Sequence, residues 1–306
     1  MKQYLGIDIG GTNIKLATVS DRGAVIARGL IETHPDDGAR RAFERIHAAA
    51  RLLGRDGIQG VGIGCAGLFD DRRGRLTASP NLKEWEGAPL ARIASPHFPV
   101  PILIQNDATC AAYGESLVRR RRGSNLVLIT LGTGVGGGIV SEGRVVRGAS
   151  GFGGEIGHIV VDPNGPRCHC GSYGCLEALV GSYGIVRTAR RLRRKTGHLS
   201  GWGIFHAARG GQRWARETVR ITGEHLGTAV ATLLNTLNPA VIVFGGGGAG
   251  GFDLLYPHVM RSMKRHTFRE MLDAVRLEPA RLGNDAGMIG AAMLVRDTIS
   301  TRHPRR

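Results

Sequence analysis

Four side chains with metal-binding donor atoms fall close together in GFGGEIGHIVVDPNGPRCHCGSYGCLE (151–177): His158, Cys168, Cys170 and Cys175. One imidazole nitrogen and three thiolates make a closed tetrahedral set for zinc, with no position left for water. Zinc would displace the thiol protons and staple the loop. His169 lies between two of the cysteines and competes with His158 on spacing alone. Glu155 and Glu177 flank the set. A carboxylate recognises a vicinal diol by accepting two hydroxyl protons, and a stapled loop would present both acids rigidly.

Asn106-Asp107 pairs an amide with a carboxylate. The amide can donate to and accept from sugar hydroxyls, and the carboxylate can take a hydroxyl proton during phosphoryl transfer. The same dipeptide is also an ordinary helix cap. Two glycine turns, Gly10-Gly11-Thr12 and Gly132-Thr133-Gly134, let backbone amides approach an anion, and each threonine adds a hydroxyl donor. No Gly-Lys-Ser/Thr follows the second turn, so it is not a Walker loop. Asp8, two residues before the first turn, is placed to hold Mg²⁺ through water. Lys15 is placed to offer a point charge to phosphate.

The elements that must position these groups follow from the hydrophobic pattern. Residues 3–9, 14–19 and 24–31 read as an antiparallel meander joined by tight turns. A helix is predicted from a cap at Asp36 or Asp37 to Leu53, with Ala39, Phe43, Ile46, Ala50 and Leu53 on one face. Strands follow at 58–65 and 100–104, the latter ending at Asn106-Asp107, and then a helix over 108–118. Polar residues at such a strand end project into the ligand crevice of an open α/β sheet. NLVLITLGTGVGGGIV (125–140), a Glu142-Gly143 turn and a third strand from Arg144 to Arg147 then repeat the opening layout. That restart predicts an internal duplication. The first α/β domain spans 1–118, with a C-terminal helix 285–299 packing back on it. The second spans 119–284 and holds the zinc loop; Arg119–Gly123 is the expected hinge. Helices are predicted over 177–198 and 212–237, a strand running into a glycine turn and a helix start over 241–248, and a frayed tail from Ser300.

A length of 306 residues suits two domains. No apolar run is long enough to span a membrane, and the N-terminus enters a strand without a signal-peptide layout, so a cytoplasmic protein is expected. There a cysteine cluster points to a metal rather than to disulfides, while Cys65 and Cys110 read as core residues. The net charge of +16 comes mostly from arginine, with only five lysines, and raises the question of nucleic acid. No zinc-finger or helix-turn-helix pattern accompanies it, so no specific nucleic-acid partner is expected.

DIGGTNIK (8–15), QNDATCAAYGE (105–115), LGTGVGGGIV (131–140), GGEIGH (153–158) and CHCGSYGCLE (168–177) together resemble the ROK family of bacterial repressors and sugar kinases. The resemblance covers nearly the whole chain. It implies the two-domain actin-like, hexokinase-like ATPase fold, related to ribonuclease H, with ATP and sugar bound between the domains. It implies ATP-dependent phosphorylation of a hexose, glucose first, with fructose or an N-acetylhexosamine as the alternative; a polyphosphate donor and a non-catalytic sugar sensor are weaker readings. It casts Asp107 as catalytic base and Asn81, Asn106, Glu155, His158 and Glu177 as sugar ligands. Asp8, Gly10, Gly11, Thr12, Lys15, Thr133 and Gly134 become phosphate-side residues, and Gly246 and Gly247 the adenosine-side turn. Mg²⁺, a structural zinc on His158, Cys168, Cys170 and Cys175, and a homo-dimer or tetramer are implied. The family's repressors carry an added N-terminal helix-turn-helix domain, for which the strand beginning near residue 4 leaves no room.

Overall fold

The computed structural model describes residues 1–54, 57–119, 123–193 and 197–302. Residues 120–122 of the expected Arg119–Gly123 hinge, part of the 190–195 arginine run and the tail from His303 lie outside the described residues. By its internal contacts the chain divides into two units: 1–124 with 138–154 and 281–306, and 125–137 with 155–280. Residues 138–154, which the sequence reading assigned to the second domain, thus count with the first.

In the first unit, β1 (Gln3–Ile9), β2 (Asn13–Ser20) and β3 (Val25–Glu32) form the antiparallel meander, and β4 (Ile58–Cys65) and β7 (Ile102–Asn106) add in parallel. The sheet order is β3-β2-β1-β4-β7. Strand alternation decides what covers each face. The odd residues Leu5, Ile7 and Ile9 join a core with Ala42, Phe43 and Ile46 of α1 (Gly38–Leu52) and Leu90 of α2 (Leu90–Ala94). The even residues Gly6 and Asp8 meet α10 (Ala286–Arg302), which also packs on β4 and on α3 (Asp107–Leu117). The Asp37 carboxylate makes no helix cap and pairs instead with Arg45, 2.7 Å away. A small hairpin, β5 (Leu68–Asp70) and β6 (Arg75–Ala78), precedes α2.

The second sheet holds β8 (Leu126–Leu131), β9 (Val135–Ser141), β10 (Arg144–Val145), β11 (Val241–Gly245) and β12 (Arg276–Pro279) in the order β10-β9-β8-β11-β12. This repeats the first order element for element. The second unit's helices are α4 (Leu176–Val180), α5 (Ser182–Arg193), α6 (Gly201–Arg209), α7 (Arg213–Leu237), α8 (Phe252–His266) and α9 (Arg269–Ala274). The long α7 packs against α4, α5, α6 and α8.

Some boundaries differ from expectation for local reasons. The strand expected at 100–104 starts after Pro101, which lacks an N–H for the ladder, and runs on to Asn106. The third strand expected from Arg144 to Arg147 stops after two residues. The helix expected over 177–198 breaks at Gly181, where the chain turns and Ser182 bonds to the Gly132-Thr133 carbonyls. α10 runs past Ile299 to Arg302, so the chain is helical there where fraying was expected.

Candidate active site

In the first unit, Ile9, Cys65 and Asn106 stand in register across β1, β4 and β7, so three C-terminal strand ends meet. Ligand groups collect at such ends in open α/β sheets. Beyond β1, Gly10 N donates to Asn13 O at 3.0 Å and Thr33 Oγ1 donates to Gly10 O at 2.7 Å. Thr33 N also donates to Thr12 O at 2.9 Å, and among the described residues nothing accepts from the amides of Gly11 and Thr12. Asn81 lies directly on this turn: a Cβ added at Gly11 would stand 2.7 Å from Asn81 Cβ, which accounts for the glycine. Asp8 and Lys15 face each other across β1 and β2, with Lys15 Nζ 3.5 Å from Asp8 Oδ2 and 3.3 Å from Asn284 O. Burial raises the Asp8 carboxyl above its ordinary pKa, and Lys15 pulls it back.

Asn106 takes the cap position of α3. Its Oδ1 accepts from Thr109 N at 2.9 Å while its Nδ2 donates to Gly67 O at 3.2 Å. Asp107 is the first helical residue, and its Oδ1 accepts from Ala108 N at 2.9 Å. The helix dipole at that position favours the charged carboxylate. Beside it, Gln105 Nε2 donates to Asp71 Oδ1 at 2.7 Å, and Arg147 stands 3.4 Å from the other Asp71 oxygen. That polar bracket behind the strand end was not singled out in the sequence.

In the second unit, β8 and β11 are parallel neighbours with Gly245 opposite Thr130, so their two glycine turns emerge side by side. Gly246, at φ 79°, backs onto Leu131 O. Gly132, Thr133, Gly247 and Gly248 line one cavity of about 850 Å³, together with Trp202 and Arg187. Gly132 N donates to Gly134 O at 3.0 Å, and among the described residues nothing accepts from the amides of Thr133 and Gly134. This repeats the first turn. Ser182 Oγ donates to Gly132 O at 2.7 Å. Like Thr33, Ser182 was missed; its only signal was a Gly-Ser pair interrupting a helical pattern.

The ligand atoms of His158, Cys168, Cys170 and Cys175 all lie within 4.8 Å of one another. Cys170 and Cys175 Sγ are 3.7 Å apart, and Cys168 Sγ is 3.7 Å from His158 Nδ1. Tetrahedral bonds of about 2.3 Å to sulfur and 2.0–2.1 Å to nitrogen give edges of roughly this length, so the donors fit zinc. His169 is not part of this group; its ring packs on Tyr183 with centroids 4.7 Å apart. Burial pushes the Cys175 thiol up to about 12, so a cation is needed to hold it as thiolate near neutral pH. His158 Nε2 faces away from the sulfurs, 4.0 Å from Glu155 Oε2. Burial raises the Glu155 carboxyl, His158 opposes this, and Glu177 adds to it. Glu177 Oε2 accepts from Val135 N at 3.0 Å, and Oε1 lies 3.9 Å from Cys168 Sγ.

Two sheets of one repeated order, each with a glycine turn between its first two strands, define the actin-like, hexokinase-like ATPase fold. The chain belongs to the ROK family, whose profile matches residues 4–298. It is 35% identical over 313 residues to the glucokinase of Halalkalibacterium halodurans, covering 96% of this chain and 94% of that one. It is 31% identical to the glucokinase of Thermotoga maritima, covering 97% and 98%. Among solved structures, a ROK family glucokinase from Streptomyces griseus in complex with glucose and AMPPNP superimposes with a TM-score of 0.80 at 32% identity, covering 96% of this chain and 99% of that one. The ROK hexokinase of Thermus thermophilus gives 0.83 at 30% identity, with the same coverage.

Proposed function

We propose that this protein transfers the γ-phosphoryl group of ATP to a hexose, glucose first, at the 6-hydroxyl. The observation that carries the reading is the 850 Å³ cavity with both glycine turns of the second unit at its wall. Gly132–Gly134 offers amides to phosphates, and Gly247-Gly248 with Trp202 suits a nucleoside. A donor made only of phosphate has no need of that second part. The relatives named glucokinase and the neighbour holding glucose and AMPPNP support the same reading.

In this reading Asp107 accepts the proton of the attacking hydroxyl. Its charged form is favoured by the start of α3, and its position is held by the Asn106 cap. Asn81 and Asn106 offer amides to sugar hydroxyls. His158 Nε2 and Glu155, 4.0 Å apart, offer a donor and an acceptor to neighbouring hydroxyls, and Glu177 adds a further carboxylate. In the second unit the amides of Thr133 and Gly134 stabilise charge on the phosphates as it shifts toward the leaving group, and in the first unit Gly11, Thr12 and Lys15 offer donors of the same kind. Asp8 would hold Mg²⁺ through water, and the ion would supply charge neutralisation of the phosphates.

Zinc would be held by His158 Nδ1, Cys168, Cys170 and Cys175, where it supplies a structural staple only, because four protein donors close the tetrahedron. The Nε2 of His158 is thereby aimed by its own ligand bond. A cytoplasmic setting suits this reading, since the three thiols are unpaired by disulfides. The test is a steady-state assay over glucose, fructose, mannose and N-acetylhexosamines with ATP or polyphosphate at matched phosphate. Highest kcat/KM for glucose with ATP is expected. Preference for polyphosphate, or turnover on none of the sugars, overturns the reading.

A further inference from the structure

Glu177 stands between the metal-binding loop and the donor turn, and it touches both. Cys175 is the residue before α4, so a metal bound there fixes the start of that helix. Glu177 lies in its first turn. Its Oε2 accepts from Val135 N at 3.0 Å, immediately after Gly134. A Cβ on Gly134 would stand 2.3 Å from that oxygen, so the carboxylate lies against the turn and any side chain at this position would have to displace it. Its other oxygen is 3.9 Å from Cys168 Sγ. The far side of the turn is gripped by the next helix, where Ser182 N and Oγ donate to Gly132 O at 3.1 and 2.7 Å. Between these grips, Gly181 closes the corner by donating its N–H to Glu177 O at 2.9 Å.

We infer that Glu177 is a positioning residue for the phosphoryl donor: it transmits the order of the metal-stapled loop to the Gly132–Val135 turn. This rests on the ATP and zinc reading above and deepens it, because the metal then serves nucleotide binding as well as the sugar side. The turn must hold two amides outward toward phosphate. Loosening the start of α4 releases the carboxylate that fixes the adjoining Val135 amide, and the turn loses its template.

The experiment measures binding of AMPPNP by calorimetry, without sugar, to the zinc-loaded protein, the chelator-treated protein, Glu177→Gln and Glu177→Ala. Removing the metal is expected to weaken AMPPNP about tenfold. Glu177→Gln keeps one acceptor for Val135 N and should lose at most about threefold, whereas Glu177→Ala should lose about tenfold. Chelating Glu177→Ala should add little further loss, since both changes cut the same link; such non-additivity marks coupled residues. Unchanged AMPPNP affinity after chelation, or fully additive losses, overturns the inference and leaves ATP as donor. A wild-type protein that binds no AMPPNP, or that holds no zinc when purified without chelator, overturns the underlying reading itself. Circular dichroism on each sample separates these outcomes from loss of fold, and a sample that has unfolded on chelation is replaced by Glu177→Gln against wild type in their loaded states, where equal or greater loss for Gln than for Ala counts against the link.

Discussion

Asn106 shows one side chain serving fold and chemistry together. Its oxygen caps α3 through Thr109 N, and its nitrogen reaches Gly67 O, so the segment before β5 and the helix that begins with Asp107 share one anchor. Asn106→Ala should therefore cost about 1 kcal/mol of stability, the ordinary worth of a lost cap, in urea unfolding. Asn106→Asp keeps the cap and should recover most of it. Equal loss in both variants would place the stabilisation on the Gly67 contact instead. The pair Asn106-Asp107 was singled out in the sequence only because two glycine hairpins accompany it; by itself an amide and a carboxylate at a strand end make an ordinary helix cap, which Asn106 also is. Thr33 and Ser182 were not singled out, because each hydroxyl finds its carbonyl far along the chain, 23 and 50 residues away. Asp71 with Gln105 and Arg147 escaped for the same reason.

At the scale of elements, the two hairpins with their glycine turns were readable from alternation and turn chemistry, and β4 and α7 fell within a residue or so of their expected bounds. Most of the elements missed were short: β5, β6, α2, α9 and the four-residue β12 carry too few residues for a period to show, while the fifteen-residue α8 was foreseen only as a helix start after the 241–248 turn. The nine-residue α6 was not expected either; Ser200 caps it, its Oγ accepting from Gly203 N at 3.1 Å. Unread too was the junction of α3 with the chain entering α10. There Glu115 and Arg119 form a buried ion pair, at 0% and 1% side-chain exposure. Glu115 also accepts from the amides of Arg281 and Leu282 at 2.7–3.0 Å. Removing one member of a buried pair strands the other's charge, at a cost of about 3–5 kcal/mol. Arg119→Met should fall at the lower end, because two backbone donors remain for Glu115. A urea midpoint unchanged from wild type would show that the pair adds nothing.

For the whole molecule, the repeated strand order carries the duplication that the restart at residue 125 suggested, and the repetition places a glycine turn in each unit. What the sequence could not give was the division of the chain, since 138–154 continues β9 of the second sheet yet counts with the first unit. Metal content is a property at this scale, because binding there is folding free energy. Protein purified without chelator should hold about one zinc per chain, as a closed set of four donors requires. Cys170→Ser should lower that content and the melting temperature together, read by metal analysis and thermal unfolding. A metal-free variant that melts with wild type would show that the staple is dispensable for the fold.

The central claim is that Asp107 takes a sugar proton while ATP gives up its terminal phosphoryl group, and Asp107→Asn tests it most directly. The swap keeps the shape and an acceptor for Ala108 N but removes the proton acceptor. A coupled assay of glucose 6-phosphate formation, with glucose binding measured in parallel, gives both quantities needed. The account predicts a loss of at least about a hundredfold in kcat, the typical reach of general base catalysis, with glucose affinity within about tenfold of wild type. Near-normal turnover in Asp107→Asn would contradict it.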